Sequence, residues 1–220
     1  MTAASSGGTT PPTVPPPPSP LSCNLHRITK GTVIHRIHDK RFGAIDFNPG
    51  LGNTRFAPFR VGGKFVPTAY AATSLECAIY ETFYHDIEPA ALFKSVYWSD
   101  LAKLVYSTVE VARDIDVAKL FTADLLKWHM VRGQLIDTPK SCYPQTQLWS
   151  PAIHGSGPTV DGMVWTSNKY DEERAMLLFG DRVAIGDLNP LTSVEIISDP
   201  TALQLVTDLA ARSGIDIIKP

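Results

Sequence analysis

Five polar side chains stand in otherwise apolar settings, and their types suit the binding of a small anion beside a carboxylate. They are Arg36, Arg55, Tyr70, Glu81 and Ser167. Arginine offers paired, fork-shaped hydrogen bonds to phosphate oxygens. A carboxylate fixed in a cleft stabilises positive charge that develops in a transition state. A tyrosine ring can stack on a ligand, and a serine hydroxyl can bond to a sugar hydroxyl or a phosphate.

Glu81 falls on a predicted helix in a position suited to a cleft. The helix is predicted to begin at Thr73, because Glu76 lies three residues further on, which is the capping-box spacing. At 100° per residue, Glu81 lies about 60° from the apolar Ala78. It therefore sits at the edge of the apolar arc, where a carboxylate that lines a cleft is expected.

Each of these side chains also has a purely structural interpretation. Arg36 can lie exposed on an edge strand, and Arg55 can pair with any surface acid. Glu81 can form an ion pair one turn along its own helix. Tyr70 can be an ordinary core aromatic, and Ser167 alone carries almost no signal. Residue types and spacing leave these alternatives open.

Short strands and a few helices are predicted to position the five side chains. Apolar, β-branched runs indicate strands, 3.6-residue periodicity indicates helices, and a Gly-, Asn- and Pro-rich run indicates a loop. In chain order these are a strand at Thr32–His38, a loop at Asp46–Pro58, a strand at Pro67–Ala72, the helix from Thr73, strands at Ala91–Trp98 and Ala102–Val111, helices at Asp116–His129 and Tyr143–Ile153, strands at Gly162–Thr166, Arg174–Phe179 and Val194–Ile197, and a helix at Thr201–Ser213 capped by Gly214. Strands outnumber helices and few helices separate consecutive strands, which favours an α+β fold over a doubly wound parallel sheet.

The 220 residues are predicted to form one domain, residues 25–220, behind a tail at residues 1–24. Residues 1–20 hold seven of the 18 prolines. Such a composition predicts a disordered or polyproline II tail, because it buries too little surface to offset the entropy lost on ordering.

Composition excludes several classes of protein. With 20 Lys and Arg against 22 Asp and Glu, the net charge of −2 provides no basic surplus for direct nucleic-acid or polybasic membrane binding. No apolar run reaches the ~18 residues of a membrane-spanning helix. The three cysteines, Cys23, Cys77 and Cys142, form no CxxC pair and are expected to be free thiols in a reducing cytoplasm.

Motifs for the common cofactors are missing from the sequence. It contains no GxGxxG after a strand, no GxxxxGK[ST], no HExxH and no EF-hand loop. The six histidines show no repeated ligand spacing. We therefore expect neither a metal nor a resident cofactor.

Taken together and in order, the five residues carry a resemblance to a known family, the RES domain family, named for its Arg, Glu and Ser. The resemblance extends from about Arg27 to Phe179 and is strongest in Val66–Thr82, where an aromatic-ended strand runs into a capped helix bearing glutamate. The matching runs are Arg36, then GNTRFAP at 52–58, then AYAATSLECAIYET at 69–82, and finally DGMVWTS at 161–167.

The resemblance implies a single domain with a fold akin to that of the ADP-ribosyltransferases. Known members are toxins of RES–Xre toxin–antitoxin pairs that consume NAD+ by phosphorolysis or hydrolysis. It therefore implies NAD+ as substrate, inorganic phosphate as a candidate co-substrate, and an Xre-like antitoxin as partner. Members commonly form homodimers. This chain departs from many members at Ile37, where they have Tyr, and at Thr54-Arg55-Phe56, where they have Gly-Arg-Trp.

The resemblance also suggests a role for each residue. Glu81 would stabilise the oxocarbenium-like sugar as nicotinamide leaves, with Arg36 and Ser167 completing the catalytic set. Arg36 and Arg55 would hold the pyrophosphate. Tyr70 would contact the nicotinamide half, and Ser167 a ribose hydroxyl or a phosphate.

Two other functions stay open. One keeps the fold and transfers ADP-ribose to a protein or nucleic acid. The residue two before Glu81 is Ile79, so the Glu-x-Glu or Gln-x-Glu pattern that would orient such an acceptor is missing. The other is a non-catalytic nucleotide-binding module.

Overall fold

An eight-stranded sheet forms the centre of the computed structural model, which describes residues 12–88 and 90–220. The strands are β1 (Leu25–Ile28), β2 (Val33–Asp39), β3 (Arg60–Val61), β4 (Lys64–Phe65), β5 (Thr68–Ala72), β6 (Ser95–Tyr97), β7 (Leu104–Val111), β8 (Ile115–Lys119), β9 (Gly162–Thr166), β10 (Arg174–Phe179), β11 (Leu188–Glu195) and β12 (Asp216–Ile218). The helices are α1 (Leu75–Thr82), α2 (Trp98–Leu101), α3 (Thr122–Leu126), α4 (Tyr143–Thr146), α5 (Trp149–His154) and α6 (Pro200–Arg212).

The strand order of the large sheet is β1-β8-β9-β10-β5-β2-β7-β11. Every neighbouring pair is antiparallel except β8 and β9, which run parallel. Two small sheets, β6 with β12 and β3 with β4, lie outside it. The chain is thus one mixed domain of helices and a mainly antiparallel sheet, as typical of the α+β class.

Two apolar clusters, one on each face, hold the sheet. The first cluster includes Ile79 of α1, Val206 of α6, and Ile37 and Trp165 of the sheet. The second lies on the opposite face and includes Ile34. Because the central strands are covered on both faces, the sequence of a strand such as β10 is a continuous apolar run. The predicted bounds of β9 and β10 are confirmed residue for residue.

The helix that carries Glu81 begins one residue later than predicted. Ser74, in an extended conformation, caps α1, and its side chain accepts a hydrogen bond from Cys77 N at 3.2 Å. The hydroxyl of Thr73 is engaged elsewhere, since it donates to the Glu173 carboxylate at 2.5 Å. A cross-sheet contact therefore decides which of the two hydroxyl residues caps the helix.

The predicted helix at Asp116–His129 is wrong. Its first part is β8, and only Thr122–Leu126 is helical. β8 pairs with β1 on one side and β9 on the other, and pairing on both sides outweighs the helical spacing of the leucines. Leu125 is buried as expected, whereas Leu126 is 62% exposed.

Other elements differ at their ends. The strand predicted at Ala91–Trp98 is only β6, and that at Ala102–Val111 begins two residues later. β11 begins at Leu188 rather than Val194, because it pairs with β7 along its whole length.

The helix predicted at Tyr143–Ile153 is divided into α4 and α5 by residues 147–148, while Pro151 lies in the first turn of α5. The strand β2 and the final helix, followed by Gly214 at φ +63°, agree with the prediction to within one residue.

Of the two alternatives predicted for the tail, disorder is wrong for residues 12–24, whereas polyproline II stays a prediction; residues 1–11 lie outside the described part. Val14 is 8% exposed and belongs to the first cluster. Trp149 Nε1 donates to Pro15 O at 2.9 Å, and Trp128 Nε1 donates to Ser22 O at 3.3 Å. The segment is ordered because its carbonyl groups satisfy two indole donors and its one valine packs in the core.

No helix within the described residues is both long and apolar enough to cross a membrane.

The substitution Val14→Ala tests whether the proline-rich segment is part of the folded domain. Removal of two buried methyl groups is expected to lower the free energy of unfolding by about 1–2 kcal/mol. Urea denaturation measures this loss. Val131→Ala, the same change at a valine that is 60% exposed, is the matched control and is expected to leave the midpoint nearly unchanged. Equal midpoints for the two variants would show that the segment contributes nothing to stability.

Candidate functional site

A short hydrogen bond joins the last turn of α1 to the end of β9. Ser167 Oγ donates to Glu81 Oε1 at 2.6 Å, and the backbone N of Asn168 donates to the same oxygen at 3.0 Å. Ser167 is fully buried, and Glu81 is half-buried. The second carboxylate oxygen of Glu81 has no hydrogen-bond partner within the described residues. The carboxylate is therefore held through one oxygen by neutral donors.

The loop that follows β9 is held in place by the same serine. Ser167 Oγ accepts from the backbone N of Tyr170 at 3.1 Å and of Lys169 at 3.3 Å. Arg132 donates to the Ser167 carbonyl at 3.2 Å and forms an ion pair with Asp137 at 2.7 Å. Because its donors and acceptors are satisfied internally, this loop presents its side chains in fixed positions.

Arg55 is buried on a loop that faces the same region. Its guanidinium donates to the hydroxyl and the carbonyl of Thr138, both at 3.4 Å, and its Cζ lies 5.8 Å from the ring centre of Tyr143. Both hydrogen bonds are long, and no carboxylate lies within ion-pair distance among the described residues. Arg55 therefore retains donors for an anion.

A cavity of about 960 Å³ lies between these elements. Its wall includes Arg55, Tyr143, Asn168 and Lys169, and Pro12 of the N-terminal segment. The volume is at the upper end of the ~300–1,000 Å³ of small-molecule sites. Glu81 does not itself line the cavity, but it is hydrogen-bonded to the backbone of Asn168, which does. A second cavity of about 520 Å³ adjoins it.

Tyr70 supports the loop that carries Arg55. Its hydroxyl bonds to Thr54 Oγ1 at 2.8 Å and accepts from Phe56 N at 3.3 Å, and its ring packs edge-on against Trp165. Burial raises the pKa of the Tyr70 hydroxyl to about 12, so the phenol stays neutral. These contacts make Tyr70 a positioning residue for Arg55.

Arg36 lies on the opposite face of the sheet from Glu81. Side chains alternate along β2, so Arg36 shares a face with Ile34 of the second cluster, whereas Ile37 faces α1. Arg36 lines a separate cavity of about 290 Å³ that Tyr70 also borders. The structure therefore brings Glu81 together with Ser167 and places Arg55 nearby, but it does not place Arg36 in the cavity of Arg55.

The Arg36 guanidinium is bonded to backbone carbonyls through all three of its nitrogens. It donates to Tyr70 O at 3.2 Å, to Asp46 O at 2.9 Å and to Ala44 O. The side chain is 5% exposed, and burial lowers the pKa of Arg36 to about 10. These contacts tie the loop after β2 to the strand β5.

Sequence reasoning missed three polar residues of the site: Asn168, Lys169 and Arg132. Asn168 and Lys169 directly follow Ser167 in the sequence. Their place in the loop after a predicted strand was the only feature of the sequence that could have marked them as candidate site residues. No group of three His, Cys, Asp or Glu side chains is arranged for a metal ion in residues 12–88 and 90–220. The three cysteines are free.

Comparisons with known proteins give one family match and a similar fold. A family model described as the RES domain matches residues 33–205, which include all five residues singled out in the sequence. Among solved structures, the crystal structure of the M. tuberculosis MbcT-MbcA toxin-antitoxin complex contains a similar chain, with a TM-score of 0.56 and 15% identity, covering 84% of this chain and 92% of that one. At this identity the likeness concerns the fold. No match was found among curated proteins.

Ser167→Ala removes the donor that fixes Glu81. We expect the free energy of unfolding to fall by roughly 1.5–3 kcal/mol, the usual contribution of a hydrogen bond to a charged group. Thermal unfolding followed by circular dichroism measures the change. Ser141→Ala alters an exposed serine on the cavity wall and serves as the control. Identical unfolding of the two variants would contradict the role assigned to the Ser167 hydroxyl.

Arg36→Met keeps an unbranched apolar stem and removes the guanidinium. Three backbone carbonyls then lose their donor, and we expect a loss of about 2 kcal/mol or more in the free energy of unfolding. Chemical denaturation is the measurement. Arg41→Met, at an exposed arginine paired with Asp39, is expected to unfold like the parent. A folded Arg36→Met protein of parental stability would mean that the guanidinium serves a ligand and not the fold.

Proposed function

This chain belongs to the RES domain family, and from that premise we propose that it cleaves the nicotinamide–ribose bond of NAD+ and acts as the toxin of a toxin–antitoxin pair. The observation that carries the proposal is the Glu81 carboxylate, fixed by Ser167 and Asn168 beside a cavity large enough for a dinucleotide. The same activity was expected from the sequence through the family resemblance.

The chemistry requires little more than such a carboxylate. As the C1′–N bond breaks, its electron pair returns to the pyridine nitrogen, and nicotinamide leaves as a neutral molecule. The ribose acquires oxocarbenium character, as in glycoside cleavage. One oxygen of Glu81 is held by neutral donors and not by a cation, and the other oxygen would face the sugar. In a partly desolvated site this charge stabilises the transition state strongly.

The reaction ends when an oxygen nucleophile attacks C1′. Water gives ADP-ribose and releases a proton, whereas inorganic phosphate gives the 1″-phosphate of ADP-ribose. The charged groups of the cavity are compatible with either acceptor. Neither route calls for a resident cofactor or a metal.

The other residues divide between binding and support. Arg55 faces the cavity with unused donors and would bind the pyrophosphate of the substrate. Ser167 orients Glu81, and Tyr70 holds the Arg55 loop, so both act through a neighbour. Arg36 would support the fold around the site, in contrast to the direct substrate contact suggested by the family resemblance.

A protein that destroys NAD+ needs an inhibitor in the cell that makes it. The similar solved structure is a toxin bound to its antitoxin. We therefore propose an antitoxin partner for this chain, with an Xre-like protein as the expected type, and a cytoplasmic location, where NAD+ is available. Homodimerisation is a further expectation from the family.

Glu81→Gln tests the mechanism directly. The variant keeps the shape of the side chain and removes its charge, so nicotinamide release from NAD+ is expected to slow by about 10²–10³-fold. Chromatography of the products, with and without added phosphate, measures the rate and identifies the acceptor. Glu76→Gln, the same change in the first turn of the same helix, is the control and should retain the parental rate.

Three results would overturn the proposal. Parental turnover by a folded Glu81→Gln protein would remove the carboxylate from the mechanism. Transfer of label from NAD+ to a protein or nucleic acid would identify an ADP-ribosyltransferase. Binding of NAD+ without any loss of NAD+ would identify a non-catalytic nucleotide-binding module.

A further inference from the structure

Lys169 resembles Arg55 in its surroundings. It lines the large cavity, is half-buried, and donates from Nζ to the carbonyl of Ile87 at 3.2 Å. Like Arg55, it has no carboxylate within ion-pair distance among the described residues. Two cations of the cavity wall are thus held by uncharged groups, which leave their charge uncompensated.

The acids of the same wall are engaged elsewhere or face solvent. Asp86 pairs with Lys140 at 3.0 Å, and Asp137 pairs with Arg132 at 2.7 Å. The remaining acid, Glu88, is exposed. Among the charged residues that line the cavity, Arg55 and Lys169 are therefore the two that are not exposed.

Lys169 also lies at the boundary between two cavities. Asp137, Asn168 and Lys169 line both the large cavity and the adjoining one of about 520 Å³. A dinucleotide consists of two nucleosides joined by a diphosphate, so the diphosphate of a ligand that occupies both cavities would cross this boundary.

The position of Lys169 is set by the group that orients Glu81. Its backbone N donates to Ser167 Oγ, the hydroxyl that donates to the carboxylate. Burial lowers the pKa of the Lys169 amine, the charge of Glu88 opposes this shift, and the charge of Arg55 lowers the pKa further. A bound anion would offset the burial and the repulsion from Arg55, because it supplies a negative charge in direct contact with the amine.

We propose that Lys169, together with Arg55, binds the diphosphate group of the nucleotide and makes the site selective for nucleoside diphosphates over nucleosides. The proposal rests on the proposed function and deepens it, because it assigns the diphosphate of NAD+ to a lysine that the family resemblance did not mark. A diphosphate between the two cations gains charge-assisted hydrogen bonds from both.

The test measures binding of ADP and of adenosine to the full chain by titration calorimetry, with NAD+ titrated into the Glu81→Gln protein. Lys169→Met is expected to weaken binding of ADP and of NAD+ by about tenfold or more and to leave adenosine binding unchanged. Lys169→Arg is expected to restore most of the affinity. Lys94→Met removes a half-buried lysine that lines the neighbouring groove but not the large cavity, and it should bind ADP like the parent.

Several results would overturn the assignment. The first is a Lys169→Met protein that binds ADP with parental affinity, or that loses affinity for ADP and adenosine equally. The second is a Lys94→Met protein that loses as much ADP affinity as Lys169→Met. The third is a parent chain that does not bind ADP. If Lys169→Met does not fold, Lys169→Gln takes its place with the same expected result. Selective loss of ADP binding in a chain that never consumes NAD+ would uphold this inference and refute the proposed activity.

Discussion

The hydrogen bond from Ser167 to Glu81 is the contact on which the candidate site depends. It joins a helix to the end of a central strand, and the same hydroxyl accepts the backbone N–H groups of Lys169 and Tyr170. One buried side chain therefore sets the direction of the carboxylate and the path of the following loop. A neutral donor is suited to this task, because a cation in its place would cancel part of the charge that the site presents.

The pleat of the sheet separates the two arginines that the sequence brings to notice. Neighbouring side chains on β2 point to opposite faces, so the Arg36 side chain lies on the face of the sheet opposite α1. On that face, its guanidinium donates hydrogen bonds to three backbone carbonyl groups. Arg55 stays on the side of Glu81 with weak partners. The same residue type thus supports the fold at one position and is available to a ligand at the other.

Local pattern was sufficient where neighbours in the sequence decide the structure. The strands β9 and β10 and the final helix follow from apolar runs, periodicity and a capping glycine, because burial on both faces or on one stripe is visible in the residues themselves. It failed where partners distant in the sequence decide. β8 is a strand because β1 and β9 pair with it, and residues 12–24 are ordered because two tryptophans bond to their carbonyls.

For the site, the sequence by itself determined the family, the helical carboxylate of Glu81 and the set of charged residue types. Only the tertiary structure decided which of them meet. Ser167 and Glu81 are 86 positions apart in the chain and in hydrogen-bond contact, whereas Arg36 is turned to the other face. Residue type records what a side chain can do, but strand pairing and the alternation of side chains across the sheet determine which groups share a cavity.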